Sequence, residues 1–167
     1  MKVVLNKASK SDMAIVENLV PYYIYDMSEY LGWPCSAAGK FGGCDMLETY
    51  WEEKGKHPFL LNFGDEIVGF ALIRGNHEEK EIDFSVGEFF VLRKFRGKRV
   101  GETIATEIFD LFRGNWQVEQ LQENLPAVGF WRKVIGRYTN YHFEESIKES
   151  DWGPKNDIRF SSMARAV

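Results

Sequence analysis

An α/β fold is what the sequence predicts, because helical and two-residue apolar periodicities succeed one another along a chain with no internal break. Three observations carry this. Apolar side chains recur at helical spacing before residue 55, short strand-like apolar runs follow from Pro58 to Leu92, and helix and strand patterns then alternate to the end. The 167 residues suit one domain (1–167), and 44% apolar with 15% aromatic content is enough for a packed core.

Lys2 to Lys7 reads as a first strand. Ser9 or Ser11 is placed to cap a helix bearing Ile15, Val16 and Leu19 on one face. Pro21 is expected to kink or restart it, and the second piece holds Tyr22, Tyr23, Tyr25, Met27 and Tyr30. Gly32 to Gly43 reads as a shaped surface loop, and Asp45 to Lys54 as a helix with Met46, Leu47, Tyr50 and Trp51 at helical spacing. Pro58 to Phe63 and Ile67 to Arg74 flank Gly64-Asp65, a hairpin signal. Glu81 to Leu92 is a strand whose alternation breaks phase at Gly87-Glu88, which predicts a β-bulge. Gly101 to Arg113 is a helix with Ile104, Ile108, Leu111 and Phe112 as its apolar face. Trp116 to Leu121 is a strand. Asn124 to Ile135 is a helix with Pro126 in its first turn and Ala127, Phe130, Trp131 and Val134 on one side. Tyr138 to Ile147 and Ile158 to Met163 are closing strands, joined through Asp151-Trp152-Gly153-Pro154.

The net charge of −4 weighs against general nucleic-acid binding, which normally shows as a basic surface. The N-terminus has too short an apolar run for a secretory signal, and no run is long enough to span a bilayer, so a cytoplasmic location without membrane or nucleic-acid partners is expected. Cys35 and Cys44 match no metal or redox spacing, and no metal is expected; two separate thiols are.

Arg93-Lys94-Phe95-Arg96-Gly97-Lys98-Arg99-Val100-Gly101 places five basic side chains in seven residues between a strand and a helix. A helix N-terminus offers unpaired N–H groups and partial positive charge, and glycines let the backbone curl around an anion. The competing reading is a solvated basic turn. The loop lacks both Gly-x-x-x-x-Gly-Lys-Ser/Thr and Gly-x-Gly-x-x-Gly, which excludes the common nucleoside triphosphate and dinucleotide patterns.

Arg96-Gly97-Lys98-Arg99-Val100-Gly101 resembles the Gln/Arg-x-x-Gly-x-Gly/Ala loop of the GNAT N-acetyltransferase family, with Arg99 where that family most often has glycine. Asn124-Leu125-Pro126-Ala127-Val128-Gly129-Phe130-Trp131-Arg132-Lys133 is similar to the family's Asn-x-x-Ala-x-x-Phe-Tyr-x-Lys segment. The order of elements agrees across nearly the whole chain. The resemblance implies a mixed, mostly antiparallel sheet with a splayed parallel strand pair, flanked by helices. It implies acetyl-CoA as acyl donor, with its pyrophosphate on Arg96, Gly97, Lys98, Arg99, Val100 and Gly101. Pantetheine would meet Phe90 and Val91, and the Asn124 side chain would touch the cofactor as well as cap its helix. An unidentified primary amine would be the acceptor, and a homodimer is compatible with the family.

Glu88 is the choice for general base, directly or through water, against the alternative of an exposed strand carboxylate. A backbone N–H near Val91 is the candidate oxyanion donor. Trp131 stands where the family often has a tyrosine acid, and indole cannot protonate a leaving thiolate. Three readings stay open: Tyr138 or Tyr141 substitutes, the thiolate leaves unassisted, or the protein is a non-catalytic acyl-CoA-binding or sensor module. Tyr25, Asp26, Glu29 and Trp33 are the candidates for an aromatic and acidic pocket around a cationic amine. His57, His77 and His142 do not cluster in sequence; His77 is expected in a solvated turn and His142 in a structural role.

Overall fold

The computed structural model describes residues 3–44, 46–75 and 79–163. Among these residues seven strands form one sheet: β1 (Val3–Lys7), β2 (Lys56–Phe63), β3 (Glu66–Gly75), β4 (Phe84–Val91), β5 (Asn115–Leu121), β6 (Glu144–Lys148) and β7 (Lys155–Ser161), in the order β1-β2-β3-β4-β5-β7-β6. Every neighbouring pair is antiparallel except β4 and β5, which are parallel and joined by the crossover helix α3 (Val100–Leu111). Helix α1 (Met13–Leu31) and the single turn α2 (Thr49–Glu52) cover one face; α3 and α4 (Leu125–Tyr138) cover the other.

Central strands are buried on both faces, so their sequences read as continuous apolar runs. In β3, Val68, Ala71 and Ile73 join the cluster under α3 and α4, while Phe70 and Leu72 join the one under α1. The hairpin forms where Gly64-Asp65 signalled it, with Phe63 paired to Glu66. The bulge also forms: Leu72 pairs with Glu88 and Ile73 with Val86, leaving Gly87 as the extra residue. A second close approach fixes Gly69, where a Cβ would lie 1.9 Å from the carbonyl oxygen of Phe90.

Several local expectations are corrected. Helix α1 runs through Pro21 as one element, because the missing N–H leaves only the carbonyl of Glu17 unbonded, and Glu17 is on the exposed side. The expected helix over Asp45 to Lys54 contracts to Thr49–Glu52, preceded by turns from Cys44 to Leu47 and from Met46 to Thr49; Asp45 lies outside the described residues. The buried face of α3 is Ile104, Ala105, Ile108 and Phe109, and Leu111 is exposed. Tyr138 closes α4 rather than opening a strand, since Asn140 and Tyr141 both turn left-handed before β6 begins at Glu144. The last strand starts earlier than expected, at Lys155. No helix among the described residues is long and apolar enough to cross a membrane.

Candidate active site

The parallel strands β4 and β5 pair only at Phe84–Trp116 and Ser85–Gln117, and then diverge. The Leu92 N–H donates to the Val68 carbonyl at 2.8 Å. By the alternation of an antiparallel ladder, the peptide groups of Glu88 and Phe90 then face β3, and those of Phe89 and Val91 face the opening. On β5, bonds from Ser162 N–H to Gly114 O and from Gln122 N–H to Pro154 O, both 2.9 Å, assign the even-numbered residues to β7. Glu119 and Leu121 therefore turn their peptide groups into the opening from the other side. Of the two residues expected to present backbone groups there, Val91 does. Phe90 instead bonds β3 and packs its ring against Tyr23 and Phe70, leaving Phe89 in the position foreseen for it. The phase of the strand beyond the bulge decides this, and the sequence alone left that phase open.

The basic loop follows directly. A short 3-10 turn, Arg93–Phe95, leads to Gly97 at φ 75° and Arg99 at φ 61°, ψ 4°, and α3 starts at Val100. The bond from Thr103 N–H to Arg99 O (2.9 Å) closes the first turn of α3. That leaves the N–H groups of Val100, Gly101 and Glu102 without a helical acceptor. Gly101 sits so close to α4 that a Cβ would lie 3.1 Å from the Phe130 ring, and the Val100 side chain is buried, so both contribute backbone only. Lys98 and Arg99 are exposed.

Other basic side chains are engaged within the protein. Lys94 pairs with Glu66 at 2.7 Å. Arg93 reaches Asp26 of α1 at 2.7 Å, Arg96 bonds the same carboxylate, and the Arg96 Nε donates to the Val91 carbonyl at 2.7 Å. Burial pushes the Asp26 carboxyl up, but the bonds from Arg96 and Arg93 outweigh it and hold it below the ordinary value. Asp26 is thus the counter-ion of the loop. Tyr25 packs on Phe41 and Trp33 on Trp152, with ring centroids 5.5 and 5.7 Å apart. Of the residues expected to form one aromatic and acidic pocket, Tyr25, Asp26 and Trp33 turn to separate partners.

Glu88 lies on the α1 side of β4, partly buried, and accepts a hydrogen bond from the Tyr23 hydroxyl. Burial raises its pKa above the ordinary carboxylate value, against the lowering pull of Tyr23, Arg74 and Lys155. Burial also holds the Tyr23 phenol well above its usual value, so it stays a donor. Beside Glu88, the Tyr50 hydroxyl accepts from the Arg74 Nε at 2.9 Å. A Cβ on Gly87 would lie 2.1 Å from that hydroxyl and 2.9 Å from that nitrogen. Tyr23, Tyr50 and Arg74 were not foreseen as site residues. Tyr23 sat in a run of tyrosines with no local signature, and only the packing of α1 on β4 selects it.

Asn124 caps α4, its Oδ1 accepting from the Ala127 N–H at 3.1 Å, and its Nδ2 lies 3.9 Å from the Met27 sulfur of α1. Trp131 is buried against Phe89, Phe109 and Phe130. Neither tyrosine proposed in its stead turns toward Glu88. The Tyr138 hydroxyl donates to Asp110 of α3 at 2.8 Å, and the exposed Tyr141 lies over Gly136, where a Cβ would meet its ring at 2.8 Å. His57 packs at a tilt on Phe112 on the opposite face, the His142 ring bonds the Thr139 carbonyl, and His77 lies outside the described residues. Cys35 and Cys44 are thiols.

Comparison with known proteins adds to this geometry. A family model described as acetyltransferase (GNAT) family matches residues 22–136. Among solved structures, aminoglycoside acetyltransferase AAC(6')-Ib in complex with coenzyme A is similar at TM-score 0.67 and 16% identity, over 96% of this chain and 95% of its own. An acetyltransferase from Thermus thermophilus matches at TM-score 0.67 and 15% identity, over 96% and 97%. A variant of spermidine N-acetyltransferase SpeG from Vibrio cholerae matches at TM-score 0.65 and 11% identity, over 96% and 94%. At these identities the likeness is one of fold. No curated protein sequence matches.

Proposed function

The chain belongs to the GNAT acetyltransferase family, and from that premise we propose that it moves an acetyl group from acetyl-CoA to a primary amine by direct attack. The observation that carries the reading is the opening between β4 and β5, lined by the peptide groups of Phe89, Val91, Glu119 and Leu121, with the α3 N-terminus at its end and Glu88 at its side. An amide-bearing pantetheine arm fits such an opening as an added strand. A pyrophosphate fits the N–H groups of Val100, Gly101 and Glu102, with charge from Arg96, Lys98 and Arg99. Asn124 at the N-terminus of α4 has an Nδ2 directed across toward α1, a position from which it donates to the same ligand.

In this reading Glu88 takes a proton from the acceptor ammonium, directly or through water, and the freed amine attacks the thioester carbonyl. The Val91 N–H stabilises the negative charge that develops on the carbonyl oxygen. The thiolate leaves without a protein acid, and the excess proton on the attacking nitrogen passes to water or to that thiolate. Trp131 has no acidic proton, Tyr138 is tied to Asp110, and a thiol ionising at about pH 8.5 is a tolerable leaving group under neutral conditions. A polar base on an otherwise apolar stretch of β4 favours this over a passive acyl-CoA-binding module.

The test has two steps. Acetyl-CoA should raise the melting temperature by mass action, whereas ATP and NAD should not. Thiol release should then depend on an added amine and fall by about 10²- to 10⁴-fold in Glu88→Gln, the usual contribution of a general base, with the acetyl-CoA shift retained. Thermal stabilisation by acetyl-CoA without amine-dependent thiol release would favour the binding module instead.

A further inference from the structure

The sheet face under α1 changes character from β4 onward. Phe70, Leu72 and Phe90 make it apolar beneath the helix, but the strands around and beyond the bulge carry charges on the same side; on β7 these include Asp157 and Arg159, which are paired with each other and with Lys148 and Glu79. Ile73, Phe89, Val118 and Ile158 belong to the α3–α4 cluster or pack against it. By strand alternation, Arg74 of β3, Glu88 of β4, Glu119 of β5 and Lys155 of β7 share the α1 side. The Arg74 Nε lies against Gly87, next in sequence to Glu88, and spends itself on the Tyr50 hydroxyl. Lys155 is partly buried and its ammonium pairs with Glu119 at a long 3.8 Å. Both cations act on Glu88, and Arg74 also feels Glu119 across β4.

A primary amine arrives at Glu88 as an ammonium. Glu88 matches that charge, which leaves Arg74 and Lys155 facing Glu119, and each further ammonium on a polyamine would meet those two cations. An acceptor that brings a carboxylate a few bonds from its amine reverses the balance, because the same two cations then bind it. Tyr50 engages only the Nε of Arg74, and the long Glu119 contact leaves Lys155 able to turn to a better anion. We infer that the acceptor is an amine carrying its own carboxylate, of the free amino acid class, with its ammonium at Glu88 and its carboxylate between Arg74 and Lys155. This rests on the acetyltransferase reading above.

The experiment saturates the protein with CoA and titrates the proteinogenic amino acids, the carboxamide of each, spermidine and kanamycin, reading binding by calorimetry. At least one free amino acid should bind, about tenfold or more tightly than its carboxamide, the scale of one charge-assisted contact. Arg74→Gln and Lys155→Gln should each weaken that binding by a similar factor while CoA still raises the melting temperature. Lys155 is partly exposed, so its variant decides the matter even if Arg74→Gln does not fold. The inference is overturned if no amino acid binds the CoA complex. It is overturned equally if carboxamides bind as well as acids, if a polyamine binds more tightly than every amino acid, or if both variants bind like the parent. Absence of any stabilisation by CoA overturns the acetyltransferase reading too, and that arm alone separates the two failures.

Discussion

Glu88 combines two demands that pull its environment in opposite directions. A base for an ammonium works best with a pKa raised toward neutrality, and burial provides that, while Tyr23 keeps the carboxylate oriented through one hydrogen bond. The same burial makes the ionised group a liability to the fold. Its folded pKa lies above the unfolded one, so the stability linked to it is fully present below the unfolded value and is lost as pH rises through the folded value. Glu88→Gln should therefore melt above the parent protein at pH 7 to 8, and the gain should shrink toward pH 4, where Glu88 itself is protonated. Thermal melts of both proteins across that range measure this. A difference independent of pH would mean that burial does not set the behaviour of Glu88. The expected pattern is a site residue that costs stability and supplies activity.

At the scale of elements, the bulge and the basic loop each hold their shape through one residue. Gly87 is the extra residue of β4, and its Cα faces the Tyr50 hydroxyl and Arg74 so closely that no side chain fits. Tyr50 is buried and cannot swing away, so Gly87→Ala should cost about 1–3 kcal/mol through overpacking. It should also lower turnover by moving Glu88, checked by denaturant melts alongside thiol release. Arg99 is the reverse case. It holds a left-handed conformation that disfavours a Cβ by about 1–2 kcal/mol. Arg99→Gly should relieve that strain, less about 0.5–1 kcal/mol of added chain entropy, leaving a small net gain in denaturant stability alongside weaker CoA binding. Sequence made the bulge, the hairpin and the loop legible because each is marked by glycine within a few residues. It did not make the Arg99 conformation legible, although its place at a usual glycine position hinted at it. The partners of Glu88 were hidden for another reason: Tyr23, Tyr50, Arg74 and Lys155 come from four separate elements, and no local spacing records which of them the fold brings together. The end of α4 at Tyr138 differs from expectation for a similar reason, since a tyrosine suits a strand by propensity, whereas here its side chain is buried on Phe109 and Phe160 and bonds Asp110 of α3.

Across the whole molecule, the sheet is two halves that share few backbone bonds. Strands β1 to β4 form one and β5, β7 and β6 the other, and direct pairing between them stops after Ser85–Gln117. The second half has its own anchor in Asp157, a fully buried carboxylate between Lys148 at 2.7 Å and Arg159 at 3.1 Å. Burial alone would push that carboxyl up, but its bonds from Lys148, Gln117 and Arg159 hold it below the ordinary value, which ties β5, β7 and β6 together. The open end of the seam is therefore the place where a ligand adds most to the cooperativity of the fold, because a strand-like ligand there bonds both halves at once. Hydrogen exchange reads this residue by residue. Binding of acetyl-CoA should slow exchange at the N–H groups of Phe89 and Val91 on one side and of Glu119 and Leu121 on the other. The N–H groups of Glu88 and Phe90, already turned to β3, should change less. If protection appeared instead at Phe90 and spared Phe89 and Val91, the ligand would not lie in the seam, and the phase assigned to β4 beyond the bulge would be wrong.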